Sequence, residues 1–120
     1  MYNYPFEKPE VWQMSKQLVV KVYKITEKFP TDKRVSLVNQ MRRAAVSICS
    51  NLAEGSGRGI PKDQAHFYSM SYSSLMELLN QLLISLDLNW VNSDEVLLIR
   101  ADIEKVSVKI NVLRKSILKT

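Results

Sequence analysis

Residues 61–88, PKDQAHFYSMSYSSLMELLNQLLISLDL, carry an apolar pattern of helical spacing that decides the fold class of this chain. On a helical wheel of about 100° per residue, one continuous apolar stripe runs along it: Tyr68, Tyr72, Leu75, Leu79, Leu82 and Leu86. Pro61 suits the first helical turn, where the helix dipole also favours the carboxylate of Asp63. The stretch therefore predicts a helix roughly 42 Å long at about 1.5 Å per residue.

Three more helices are predicted. Apolar residues recur at three-then-four spacing in residues 9–29 and lie on one side of residues 32–54, as in one helical face. The fourth segment, residues 94–118, begins with two acidic residues and ends with basic ones, which complement the dipole of a helix at each end. Together with 61–88 these segments leave only short links and no stretch typical of a strand. The chain, residues 1–120, therefore predicts one all-α domain folded as an up-down-up-down antiparallel four-helix bundle.

The ends of the predicted helices depend on single residues. Thr31 or Asp32 is expected to cap the second helix, because a short polar side chain can accept a hydrogen bond from the free amides of the first turn. Gly55 is expected to end that helix in the left-handed conformation. Ser93 is expected to cap the fourth helix.

The third helix is more apolar than one face of a bundle requires. Phe67 and Leu78 extend its apolar stripe on one side, and Ala65, Met76 and Leu83 extend it on the other. We therefore predict self-association through its outer side, with Phe67, Met76 and Leu83 at the subunit interface. The alternative is a helix that its three neighbours cover completely.

The composition limits the class of protein. An apolar content of 46% and a charged content of 24% are ordinary for a soluble globular domain. The start of the chain lacks the pattern of a secretory signal, no apolar run approaches the length of a membrane span, and a single cysteine forms no internal disulfide. We therefore expect a cytoplasmic protein that makes no membrane contact.

The net charge of +5 favours anionic partners, nucleic acid above all, although charge also serves solubility. Arg42 and Arg43 on the second helix are the most plausible electrostatic contacts. Arg58 and Lys62 flank the start of the third helix, whose free amides can hold a phosphate. The alternative for Arg58 and Lys62 is a plain loop after a helix stop.

A line of small polar residues follows the second helix on the side away from its apolar face. Ser47, Asn51 and Glu54 belong to this line. The line is either a solvated helix back or a surface for a partner, because serine allows another backbone to approach closely. We predict a partner or subunit contact at these three residues.

No constellation of catalytic or metal-binding residues stands out. The stretch GSGRG, residues 55–59, follows a helix instead of a strand, so neither a dinucleotide fold nor a Walker loop is indicated. His66 is the only histidine, and it forms no metal-ligand cluster with Cys49. We expect no enzyme activity, no cofactor and no metal.

Several segments carry a family resemblance: VYKITEKFP (22–30), FPTDKRVSLVNQMRRAAVSICSNLAEGSGRG (29–59) and FYSMSYSSLMELLNQLLIS (67–85). They resemble the four-helix bundle family encoded in intervening sequences of bacterial 23S rRNA genes. The architecture is also similar to that of the accessory variability protein of diversity-generating retroelements. Family members commonly have proline at the position of Cys49 and glycine at a position near Ser73.

The resemblance implies a small cytoplasmic bacterial protein that forms a homopentamer with a central channel. It implies no catalytic residue, and the similar retroelement protein implies a basic barrel that binds nucleic acid. Our leading hypothesis is a non-enzymatic homo-oligomer that binds rRNA or another nucleic acid through its basic surface. The alternative is a scaffold for an unidentified protein partner, with no nucleic-acid ligand.

Overall fold

The computed structural model describes residues 1–30 and 35–119, with the backbone alone at residues 35 and 36. A 3-10 turn at Pro5–Glu7 precedes four helices, and the described residues contain no strand. The helices are α1 (Glu10–Thr26), α2 (Val35–Ser56), α3 (Pro61–Asp87) and α4 (Ser93–Leu118). The predicted all-α bundle is confirmed, and the chain measures 47 × 30 × 22 Å.

The four helices occupy the corners of a square in cross-section. Among the described residues α1 packs on α2 and α4, and α3 packs on the same two helices, so α2 and α4 lie diagonally opposite each other. Salt bridges Lys21–Asp102 and Lys28–Glu95 join α1 to α4 in antiparallel register. None of the described helices is long and apolar enough to cross a membrane.

The core lies where the apolar faces of the four helices meet. Each helix contributes side chains with less than 2% of their surface exposed, among them Leu18, Val22, Met41, Ile48, Leu75, Leu78, Leu82, Ile103, Val106 and Ile110. Complete burial of one such side chain favours folding by about 1.5–3 kcal/mol. The helical spacing of these residues thus supplies the main force that holds the bundle together.

Aromatic contacts close both ends of the bundle. At one end the Phe29 and Trp90 rings lie 5.6 Å apart between their centroids. At the other end the Phe6 ring of the 3-10 turn meets the Trp12 ring edge-on at 5.1 Å. Trp12 also borders a cavity of about 40 Å³ that is lined by Leu52 of α2 and by residues of α3 and α4.

The contact between α2 and α3 corrects the expectation for Gly55. α2 continues through Gly55 to Ser56, and no described glycine has a positive φ. Gly55 is buried, and a methyl group on it would lie 2.6 Å from Tyr68 Cε1. The prediction of a left-handed stop was wrong, because the glycine here removes bulk so that α3 can approach.

Two other helix ends differ from expectation. The cap of α4 is Asn92 instead of Ser93: the Asn92 side chain accepts from the Glu95 amide at 2.8 Å, and the Asn92 amide donates to Glu95 Oε1 at 3.2 Å. Helix α1 ends at Thr26, because the amides of Lys28 and Phe29 bond three residues back and tighten the turn. The predicted caps Thr31 and Asp32 lie outside the described residues.

The apolar arc of α3 is largely covered inside the protomer. Met76 and Leu83 are half-buried and pack against the core, and Leu78 is fully buried. Exposed large apolar side chains concentrate instead on α4, at Leu97, Leu98, Val108 and Val112. The helix whose sequence carries many charges therefore presents the more apolar outer surface.

Candidate nucleic-acid interface

A groove of about 720 Å³ runs along α2 next to the C-terminal end of α1. Its lining combines two arginines, one aromatic ring and small polar side chains: Tyr23, Asn39, Arg42, Arg43, Val46, Ser47 and Ser50. Arg42 and Arg43, two of the predicted anion contacts, thus lie together in one concave surface. The groove offers positive charge, a ring and hydrogen-bonding groups within a single site.

Arg42 is held in place by α1. Its Nε donates to Thr26 Oγ1 at 3.0 Å, and one terminal nitrogen donates to the Tyr23 carbonyl at 3.3 Å. The guanidinium carbon lies 4.5 Å from the centroid of the Tyr23 ring, within the range of a cation–π contact. The charge also lies at the C-terminal end of α1, where the helix dipole stabilises a cation. Arg42 therefore joins α1 to α2 and enters the groove in a fixed orientation.

Arg43 lines the groove with a positive charge that no described residue neutralises. Its side chain is exposed, and it has no hydrogen-bond or ion-pair partner among the described residues. It also lines a second groove of about 370 Å³ between α2 and α3, together with Gln40 and Glu77. Arg43 thus stands on the ridge between two grooves, accessible to a ligand in either.

The side chains of Ser47 and Asn51 form hydrogen bonds within the protomer. Ser47 Oγ lies 2.9 Å from Ser74 Oγ of α3, and Asn51 Nδ2 donates to the Ser47 carbonyl at 2.9 Å. Ser71 Oγ adds a bond of 2.8 Å to the Ile48 carbonyl. The backbone that approaches these small residues is α3 of the same chain.

The remaining predicted site residues lie at the far end of α2. Arg58 donates to Glu54 Oε2 at 3.1 Å, and its guanidinium carbon lies 4.5 Å from the centroid of the Phe67 ring. Lys62 is exposed in the first turn of α3. At about 1.5 Å per residue along a helix, Arg58 lies roughly 20 Å from Arg43. The four predicted anion contacts therefore form two separate pairs.

A third groove, of about 490 Å³, lies between α1 and α4. Its rim carries four lysines: Lys21, Lys24, Lys28 and Lys105. Asp102 and Glu95 neutralise two of them through the salt bridges to Lys21 and Lys28. The groove between α1 and α2 differs because none of the described residues that line it carries a carboxylate.

Burial changes the titration of two groups, Cys49 and Tyr68. Burial raises the pKa of the Cys49 thiol to about 11, although Lys16 opposes the shift. A thiol with that pKa is almost entirely protonated at neutral pH, and the thiolate is the reactive form. Burial also raises the pKa of Tyr68. The described residues contain no group of three or more His, Cys, Asp or Glu placed to hold a metal ion.

Tyr23 and Asn39 are groove residues that sequence reasoning missed. The helix of residues 9–29 was interpreted by its apolar face, and Tyr23 lies outside that face with 40% of its surface exposed. The sequence contains a signal that could have identified Tyr23 as a binding residue, since it lies between Lys21 and Lys24. An aromatic residue among lysines on a helix surface is typical of nucleic-acid contacts.

Comparisons with known proteins agree with the fold. The model of the family described as 23S rRNA-intervening sequence protein matches residues 7–112. A solved structure, described as a protein with unknown function from the S23 ribosomal protein family of Bacteroides thetaiotaomicron, superposes with a TM-score of 0.79. The two chains are 15% identical in sequence, and the match covers 88% of the present chain and 98% of the Bacteroides chain. No curated protein matches.

Proposed function

The chain belongs to the 23S rRNA-intervening sequence protein family, and we propose that it is a non-enzymatic homo-oligomer that binds RNA in the groove between α1 and α2. The proposed oligomer is a cytoplasmic homopentamer, as the resemblance of the sequence implies. Its subunit contact uses the half-buried apolar edge of α3 at Phe67, Met76 and Leu83.

The observation that carries RNA binding is the arrangement of Arg42, Tyr23 and Arg43. The first arginine lies on the tyrosine ring at 4.5 Å, so a flat cation is already oriented at the wall of the groove. Arginine planes and aromatic rings are the surfaces on which unstacked RNA bases pack. Arg43, whose charge has no partner among the described residues, lies beside them and suits a phosphate.

The polar lining of the groove supports the same ligand. Asn39 and Ser50 are exposed in it, and an amide and a hydroxyl hydrogen-bond readily to bases, phosphates and 2′-hydroxyls. A single-stranded segment is the form that can place bases and backbone in one groove of this size. In an oligomer, the positive field of the grooves would add from subunit to subunit.

Fluorescence anisotropy with a labelled single-stranded rRNA fragment at several salt concentrations tests the proposal. We expect the logarithm of the affinity to fall linearly with the logarithm of the salt concentration, by about 0.7 for each phosphate contacted. Arg43→Ala should weaken binding and reduce that slope by about 0.7. Arg100→Ala, on α4 and away from the groove, is the matched control.

The scaffold alternative would give a different result. An apolar protein interface has little dependence on salt, and the internal bonds of Ser47 and Asn51 leave fewer groups for a partner helix there. If the RNA fails to bind at low salt, or if Arg43→Ala and Arg100→Ala weaken it equally, the proposed groove is wrong.

A further inference from the structure

Helix α4 presents an outward face that no described part of the protomer covers. Its members are all exposed: Asp94, Leu97, Ala101, Glu104, Lys105, Val108, Val112 and Lys115. At about 100° per residue they fall within an arc of about 100°, opposite the buried residues Ile99, Ile103 and Val106. Leu97 is 64% exposed, and Val108 and Val112 are each 61% exposed. Apolar side chains aligned in this way on a monomer surface mark an interaction site.

The residues of this face complement those of a second, antiparallel copy of the same face. About the midpoint between Glu104 and Lys105, Ala101 mirrors Val108 and Leu97 mirrors Val112. The same reflection places Asp94 opposite Lys115, and it places Glu104 opposite Lys105. Every acidic residue of the face thus meets a basic one, and every apolar residue meets an apolar one.

We propose that α4 is a docking surface for a second copy of this chain, antiparallel to it, with a two-fold axis that passes between Glu104 and Lys105. A two-fold axis makes both copies use the same patch, so the patch must complement itself. A parallel pairing would set Glu104 against Glu104 and Lys105 against Lys105. The charges of the face therefore select the antiparallel arrangement.

The charged groups are available for this contact. Asp94, Lys105 and Lys115 have no ion-pair partner among the described residues. Glu104 lies 3.6 Å from Arg100 of its own helix, and both side chains remain largely exposed. An exposed ion pair of this kind contributes little free energy, so it does not prevent Glu104 from contacting a second copy.

The face has the dimensions of a weak, reversible contact. From Asp94 to Lys115 it is about 33 Å long at about 1.5 Å per residue. The face is only one helix wide. The surface area that it can bury is therefore smaller than the roughly 800 Å² per partner of a standard interface. We therefore expect association through α4 to depend on protein concentration.

The two-fold contact does not rest on RNA binding. α2 lies diagonally across the bundle from α4, so the groove of Arg42 and Arg43 stays open when α4 is covered. A five-fold ring needs a head-to-tail contact, whereas the α4 contact is two-fold. In a ring whose head-to-tail contact uses surfaces other than the α4 face, the α4 contact would join two rings.

Sedimentation velocity over a range of protein concentrations tests the proposal by charge reversal. Glu104→Lys would set two basic side chains against each other on both sides of the axis, and we expect at least about tenfold weaker association. The double variant Glu104→Lys, Lys105→Glu restores complementary charges and should restore association. Asp87→Lys, an equal charge change at an exposed residue of α3, is the control and should leave association unchanged.

Cysteine cross-linking checks the register. In a Cys49→Ser background, Ala101→Cys together with Val108→Cys should give a disulfide-linked dimer on oxidation, and either cysteine alone should not. The proposal is overturned if Glu104→Lys associates like the unchanged protein, if the double charge variant stays dissociated, or if either single cysteine cross-links as well as the pair.

Discussion

Gly55 of α2 and Tyr68 of α3 are in contact where a glycine is the only residue that fits, since a methyl group on Gly55 would lie 2.6 Å from Tyr68 Cε1. Tyr68 is 3% exposed and belongs to the core cluster, and the cavity that it lines measures about 40 Å³, which limits how far its ring can move. The close contact of α2 and α3 at this pair therefore depends on the missing side chain of Gly55.

Gly55→Ala is expected to destabilise the fold. Alanine favours a helix over glycine by up to about 1 kcal/mol, but overpacking a closed contact costs about 1–3 kcal/mol, so we expect a net loss. Gly57→Ala is the control, because its added methyl group would have no neighbour closer than 3.6 Å. Urea unfolding of both variants measures the difference, and equal stability would contradict the proposed clash.

Arg42→Ala and Arg43→Ala are expected to separate a structural from a binding role. Arg42→Ala removes two hydrogen bonds to α1 and the contact with the Tyr23 ring, so the free energy of unfolding should fall by about 1–2 kcal/mol. Arg43→Ala removes no bond within the described residues and should change stability by less than about 0.5 kcal/mol. Chemical denaturation checks the pair, and an equal loss in both would show that Arg42 has no special structural role.

Asn92→Ala is expected to weaken the start of α4. The side chain accepts the Glu95 amide at 2.8 Å, and loss of such a cap costs about 1 kcal/mol. Ser93→Ala, one residue later and with no side-chain hydrogen bond among the described residues, should cost less than half as much. Thermal unfolding by circular dichroism compares the two, and a larger effect of Ser93→Ala would reverse the assignment of the cap.

Cys49 should react slowly and only at high pH. Its pKa is raised from 9.0 to about 11. The rate of alkylation by iodoacetamide should therefore increase as the pH approaches 11 in the folded protein, and as it approaches 9 in the protein unfolded by urea. Between these values the unfolded thiol loses its proton while the folded thiol keeps it, so stability decreases as the pH rises through this window. The raised pKa of Tyr68 acts in the same direction.

Cys49→Ser is the control for the alkaline loss of stability. It removes the thiol titration and leaves that of Tyr68, so the decrease between about pH 9 and pH 11 should become smaller. Urea denaturation at several pH values measures it. A decrease of the same size in the variant would assign the effect to other groups.

Much of the fold follows from periodicity. The apolar spacing of residues 61–88 predicts α3, because a helix this regular must bury that face somewhere. The ends were less predictable, since Asn92 and Ser93 are both good caps and only the geometry distinguishes them. Gly55 was misread because a glycine near a helix end can serve either the backbone or a neighbouring side chain, and the sequence does not show Tyr68 beside it.

The candidate site was predictable only in part. Two successive arginines in one helix indicate a basic surface, but their different roles depend on α1, which brings Thr26 and Tyr23 to Arg42. Burial of the α3 edge also depends on tertiary packing. A wheel drawn for one helix cannot show that Met76 and Leu83 already rest against the core of the same protomer.

The aromatic closures at the two ends of the bundle provide a pair of optical reporters. Trp12 and Trp90 are the only tryptophans of the chain, and they stand roughly 25 Å apart because α1 runs between their ends at about 1.5 Å per residue. Trp12 reports on the end that holds the 3-10 turn, and Trp90 on the end that holds the links from α1 to α2 and from α3 to α4. Replacing each with phenylalanine in turn makes the fluorescence of the other a local signal, so that the opening of one end can be followed separately from that of the other.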